Sequence, residues 1–130
     1  MTLVATVLAT LTADGITAHD GRPTVPPPSD YVIVEDRTIT TGQRRLACAP
    51  YEVAQVAIVA VSRDRARCRA LSARCLALLD ETHPYDDPAA GMLRRVDTGP
   101  ILTDGPSGEI RHSITTTLRC AVPRGAAQAP

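Results

Sequence analysis

Residues Tyr51-Glu-Val-Ala-Gln-Val-Ala-Ile-Val-Ala-Val61, then Ser62, then Arg63-Asp-Arg-Ala-Arg-Cys-Arg-Ala-Leu-Ser-Ala-Arg-Cys-Leu-Ala-Leu-Leu-Asp-Glu81, decide the fold of this chain. The first stretch is rich in valine and reads as a strand. Tyr51, Val53, Gln55, Ala57, Val59 and Val61 lie on one face, and Glu52, Ala54, Val56, Ile58 and Ala60 on the other. Its C-terminal half is apolar on both sides, so both faces need a cover. Ser62 can cap the helix that follows. On that helix Cys68, Leu71, Cys75, Leu78 and Leu79 recur at spacings of 3, 4, 3 and 1, which makes one inward stripe. Arg63, Arg67, Arg74 and Glu81 fall on one flank and Arg65 and Arg69 on the other, facing water or a partner.

Upstream, Leu3, Val4, Val7, Leu8 and Leu11 share one face of a helix that Thr2 can cap and Asp14-Gly15 can stop. A short extended piece, Ile16 to His19, precedes a turn at Asp20-Gly21. Pro23 and Pro26-Pro27-Pro28 then forbid helix and make a stiff connector. Tyr31-Val-Ile-Val-Glu35 reads as a covered strand, and Asp36 to Pro50 as a long polar connection carrying Arg44-Arg45. Downstream, His83 to Gly91 is a loop by its Pro and Gly content. A strand follows at about Leu93 to Leu102, then a turn at Asp104 to Gly108 and a last strand with Ile110, His112, Ile114, Thr116, Leu118, Cys120 and Val122 on its buried face. The expected architecture is α+β in the order α-β-β-β-α-β-β: a mostly antiparallel sheet with two helices packed on one face. Residues 1–122 form one domain, and a small, polar tail from 123 to 130 is expected to be disordered.

The apolar material is narrow in kind. Among 130 residues there are eleven Val, seven Ile and eleven Leu, three Tyr, and no Phe or Trp. Aromatic side chains bury the largest areas; a core without them is thin, and burial against neighbouring subunits is one remedy. Fourteen basic and fourteen acidic residues balance, which argues against a dedicated nucleic-acid binder. Every basic residue is Arg. The N-terminal stretch is interrupted by Thr2, Thr6, Thr10 and Thr12 and lacks a basic start, so no secretory leader is expected. No run approaches the roughly eighteen apolar residues that span a bilayer. A soluble protein with reduced thiols in a cytosolic setting is the expectation.

Few groups suggest chemistry. His83 with Asp86 and Asp87 offers metal-ligand types, but at a spacing that matches no rigid site, in a stretch that Pro84 and Pro88 mark as a surface loop. Cys68 and Cys75 lie seven apart on one helical face, too far for a disulfide or a shared zinc, and suit core positions. Cys48 or Cys120 beside a histidine is the remaining catalytic reading, with no local activating group. His112 falls on the buried face of its strand and reads as a core histidine. Gly105-Pro-Ser-Gly108 lacks the lysine and following helix of a phosphate loop. No catalytic, cofactor-binding or metal residue is assigned. The candidate contact residues are Arg44, Arg45, Arg63, Arg67, Arg74 and Gln55.

Taken together, Pro28 with Tyr31-Val-Ile-Val34, Ala54-Gln-Val-Ala57, Ser62-Arg-Asp-Arg-Ala66, and Arg69-Ala-Leu71 through Arg74 to Leu78-Leu-Asp80 form a familiar succession. With Arg94 to Asp104 and Ile110 to Val122, it resembles the tail terminator (tail completion) proteins of long-tailed bacteriophages over about residues 2–122. The likeness lies in the order of elements and the strand-to-helix junction. The proline-rich connector and the lack of aromatics depart from the family pattern. The resemblance implies a structural virion protein of the tail or neck, assembled in the bacterial host cytoplasm, without enzymatic activity or cofactor. It implies a hexameric ring that caps the tail tube, ends its polymerisation and joins it to the head connector, with DNA passing through the lumen without specific contact. Its partners would be further copies of itself, the tail tube protein and a connector or head-closure protein. By the same resemblance the loop Asp36 to Pro50 would be a contact arm. The rival readings are a head-closure or minor tail protein and, in another class, a small ligand-binding or enzymatic α+β domain using His83, Asp86, Asp87 and a cysteine.

Overall fold

A computed structural model describes residues 2–38, 51–106 and 108–123. Its elements are α1 (Leu3–Ala13), β1 (Ala18–Asp20), β2 (Tyr31–Asp36), β3 (Tyr51–Ser62), α2 (Arg65–Leu79), β4 (Arg94–Thr98), β5 (Leu102–Asp104) and β6 (Arg111–Pro123). The strands form one sheet in the order β1-β2-β3-β6-β4, with β5 also on β6. All pairings are antiparallel except β1 on β2. The expected α+β architecture and element order stand. The stretch expected as one strand from Leu93 to Leu102 reaches β6 as two short pieces, β4 and β5, separated at Gly99-Pro100.

The middle of the sheet is the β3–β6 ladder, twelve residue pairs from Tyr51 opposite Pro123 to Ser62 opposite His112. Alternation along these strands sends Val32, Val34, Ala54, Val56, Ile58, Leu118, Cys120 and Val122 to one face. There they meet Leu3, Val4, Val7 and Leu11 of α1 and Cys75 and Leu79 of α2, with Leu71, Leu76 and Leu78 packed at the margin. The inward stripe of the second helix is therefore as expected, with Leu76 added to it.

Local chemistry fixes both helices. Thr2 accepts the Ala5 N–H at 3.2 Å and caps α1. At the other end Gly15 takes a φ of +81°, the Gly15 N–H bonds the Thr12 carbonyl and the Ile16 N–H the Leu11 carbonyl, each at 3.0 Å. That is a Schellman stop, and it drops Ile16 into the core. The start of α2 corrects the expectation for Ser62. Ser62 is the last residue of β3, and the cap is Asp64, whose carboxylate accepts the Arg67 N–H at 2.9 Å. The Ser62 hydroxyl instead donates to Asp30 at 2.8 Å and accepts the Asp64 N–H at 3.1 Å. The serine thus shapes the corner, and the aspartate two residues on satisfies the helix.

The opposite sheet face has a cover of its own. Tyr31, Ile33, Val59 and Val61 form their own buried cluster there. The proline-rich connector folds over this end: Arg22 and Pro26 face Tyr31, Val59 and Val61 across a small cavity of about 280 Å³. Arg111 lies 5.8 Å from the Tyr31 ring centre and donates to the Pro27 carbonyl at 2.9 Å, tying connector to sheet. The chain therefore covers the more apolar half of this face itself. The other half is polar, with Glu35, Gln55, Thr115, Thr117 and Arg119.

The edges are short and charged. All five residues of β4 are exposed, and a register shift between Arg95 and Asp97 bulges Val96 out of the ladder. At the β5–β6 turn Gly105 has φ +112°, and a Cβ there would lie 2.5 Å from the Glu109 carbonyl oxygen, so only glycine fits. His112 also departs from expectation. It is half-buried, and its Nδ1 pairs with the Thr103 hydroxyl at 2.9 Å, so it joins β5 to β6 at the sheet's margin and not in the core. Asp36, expected to open the contact arm, ends β2, and Pro123, expected to open the tail, ends β6; the rest of that tail and residues 39–50 of the arm lie outside the described residues.

Leu118 is fully buried under the helices at the centre of β6. Leu118→Ala is expected to lower unfolding stability by about 2–5 kcal/mol in urea titrations. Arg95→Ala on the exposed edge is expected to change it by less than about 0.5 kcal/mol.

Candidate functional site

Helix α2 carries the candidate arginines, and the junction with β3 sets their direction. Cys68 and Cys75 anchor the inner face, which turns Arg67 and Arg74 towards α1 and the connector. The two arginines line an open groove of about 540 Å³ together with Gly15, Ile16, Thr17, Ser29, Asp30 and Leu71. Arg74 holds Asp14 with two nitrogens, Nε at 2.8 Å and Nη2 at 2.6 Å from the carboxylate, and also reaches the Asp14 carbonyl. Arg67 Nε stands 3.4 Å from the Asp30 carboxylate. Asp30 in turn accepts the Ser62 hydroxyl.

The structure therefore unites Arg67 and Arg74, two of the six candidate residues, and places Arg63 and Gln55 apart from them. Arg63 is exposed at the corner ahead of α2 and forms no ion pair among the described residues. Gln55 belongs to the other sheet face, where its side-chain carbonyl accepts from Arg119 Nε at 3.1 Å. Arg44 and Arg45 lie outside the described residues. Glu81 leaves the helical flank: it follows the end of α2 with φ +62° and pairs with Arg94 at 3.5 Å. Sequence reasoning missed Asp14 and Asp30 as partners. Asp14 was legible only as a helix stop, and its pairing with Arg74 spans 60 residues of chain.

The described thiols are core groups. Burial pushes all three up, Cys75 to about 11. Each of the two that hydrogen-bond does so to backbone: Cys68 donates towards the Ala60 carbonyl at 3.4 Å and Cys120 to the Gly91 carbonyl at 3.1 Å. Protonated thiols without an imidazole partner are poor nucleophiles. His83, Asp86 and Asp87 are exposed, and no three His, Cys, Asp or Glu side chains group as metal ligands among the described residues. No helix is long and apolar enough to cross a membrane among the described residues. At the helix cap, the backbone N–H of Arg67 holds the Asp64 carboxyl below its usual range.

No family model matches the chain, and no curated protein matches it in sequence. In three dimensions it is similar to a chain from the virion of a native gene transfer agent (GTA) particle, with a TM-score of 0.59 at 15% identity. The match covers 94% of this chain and 92% of that one. At that identity the likeness is one of fold, and it runs through nearly the whole of both chains.

In a Cys48→Ser background, the three described thiols are expected to react with a disulfide reagent at pH 8 at least about tenfold more slowly in the folded protein than in urea. Because Cys75 titrates higher folded than its ordinary value of 9.0, its contribution to stability is complete below that pH and is lost as the pH rises towards about 11. Thermal melts across this window check the sign, with Cys75→Ser as the control.

Proposed function

We propose that this chain is a structural protein of a phage-like virion, and within it the tail terminator, a ring that caps the tail tube and joins it to the head connector. The observation that carries the reading is the likeness of fold with the GTA virion chain, which leaves almost nothing of either chain unmatched. The succession of strand, arginine-entered helix and closing strands supports the finer assignment. So does the nature of the core, which has no Phe or Trp and gains from burial against further copies.

Closed rings arise when one surface of a subunit meets a different surface of the next and the rotation closes. The exposed side of α2 and the groove of Arg67 and Arg74 are the contact surfaces this reading favours on the described residues, with Arg44 and Arg45 as contacts in the preceding loop. A neutral chain suits a lumen through which DNA passes without specific binding. No enzymatic step and no cofactor enter this reading.

Two measurements test it. Purified protein of 13.8 kDa subunit mass, alone or with tail-tube protein, is expected to form rings of about six copies by light scattering and electron microscopy. Particles assembled without the chain are expected to show over-long tails lacking heads. Normal-length headless tails would move the protein to head closure, and normal particles would overturn the virion role. A persistent monomer or dimer whose melting temperature rises with a small ligand would favour the enzyme or ligand-binding class.

A further inference from the structure

Apart from its Asp64 cap, helix α2 carries its charges against its own dipole. Arg65 and Arg67 stand in its first turn, Arg69 in the next, and Arg63 just ahead of the Asp64 cap. The first turn has no acidic residue and the last turn no basic one, while Asp80 and Glu81 follow immediately. The N-terminal end of a helix is its positive end, so cations there and anions at the far end are both unfavourable for the isolated fold. Arg67 is relieved by Asp30. Arg63, Arg65 and Arg69 are exposed and form no ion pair among the described residues. A charge pattern that opposes folding calls for a role outside the monomer.

The complement lies at the other end of the same molecule. The Cys68 thiol lies against the Ala60 and His112 carbonyls, so α2 begins over the end of the sheet where β3 finishes and β6 starts. The Cys120–Gly91 contact and the Gly91 N–H bond to the Ala121 carbonyl at 2.8 Å fix the loop after α2 at the opposite end. In that loop Asp86 and Asp87 are exposed and form no ion pair among the described residues. The loop is pre-shaped. The Asp87 carboxylate accepts the Ala89 N–H at 2.9 Å, the Asp87 carbonyl accepts the Ala90 N–H at 3.0 Å, and Tyr85 packs against the core. Fifteen helical residues separate the two ends by about 22 Å.

We propose that these ends are the two halves of one head-to-tail contact between copies of this chain: Arg63, Arg65 and Arg69 of one copy seat against Asp86 and Asp87 of the next. The inference rests on the ring reading and names the surfaces that make the ring. Charge complementarity identifies the occupant. Arg63, Arg65 and Arg69 near one end of α2 and Asp86 and Asp87 beyond the other are opposite in sign, exposed and without an ion pair among the described residues, so one copy can attract the next end to end. Guanidinium groups suit carboxylates because they can pair with two parallel hydrogen bonds. A loop already held by its own turn loses little freedom on docking. Asp64 in the midst of the arginines disfavours a polyphosphate chain as the occupant.

The test uses Arg65→Glu/Arg69→Glu and Asp86→Arg/Asp87→Arg variants of the full chain, followed by sedimentation velocity at about 50 mM and about 500 mM salt. Each variant alone is expected to associate at least about tenfold more weakly than the wild type at low salt. An equimolar mixture of the two is expected to assemble again, because alternating copies restore opposite charges at every contact. The arginine variant, with glutamate now near the helix N-terminus, is expected to melt about 2–4 °C higher, which also shows that it is folded.

If both variants assemble like the wild type, the contact is wrong and the ring reading stands. If the mixture does not recover, the pairing of these two patches is wrong. If the arginine variant assembles normally but loses retention of a single-stranded DNA oligonucleotide, the patch serves a polyanion and the proposal falls. A wild type that never self-associates, alone or on tail tubes, overturns the contact and the ring together.

Discussion

The twelve-pair ladder between β3 and β6 is the interaction on which the rest of this molecule depends. It sets the alternation that divides the chain's apolar side chains between two faces. On one face it supplies the floor for both helices, and on the other the floor for the connector. The side chains that fill these layers are small, so they pack closely but bury modest area each. With no Phe or Trp available, the fold depends on continuity of the sheet more than on any single anchor. The outlying strands are short: β1 and β5 have three residues each.

Among the described residues no three His, Cys, Asp or Glu side chains group as metal ligands. The described thiols are buried and hydrogen-bonded to backbone or packed in the core. The described carboxylates are dispersed, and the His19 ring, with Nε2 buried, packs edge-on against Tyr31. What the protein presents is charge arranged by position: arginines along α2, carboxylates beyond it, and a paired groove between α1, the connector and α2. Arg74 gripping Asp14 and Arg67 near Asp30 lock those three segments together. The surface that remains is suited to contacts with other macromolecules, and the proposed role draws on it.

Much of the architecture was legible because period and composition dictate it locally. The two-faced pattern of β3, the stripe through Cys68, Cys75 and Leu79, and the Thr2 and Gly15 ends of α1 are all properties of short windows. The cap of α2 was misplaced because Ser62 and Asp64 are both good caps, and the choice depends on Asp30, at the distant end of the connector, drawing the serine hydroxyl. The connector's cover over Tyr31, Val59 and Val61 was illegible for a related reason. Proline shows that a segment is extended but not which sheet face it crosses, and here the Arg111 bond to the Pro27 carbonyl decides. Of the candidate site, Arg67 and Arg74 were found by helical spacing. Their partners Asp14 and Asp30 carried no local signal, and Gln55 was separated from them by the pleat of its strand.

The proposed role makes this chain a fixed part of a particle. Quantitative mass spectrometry of gradient-purified particles tests it most directly. The account predicts the chain in every tailed particle at a constant low number, about six copies against the tail-tube protein, resistant to washing at high salt. Its absence from purified particles, with the protein found only in the soluble lysate, would contradict the account.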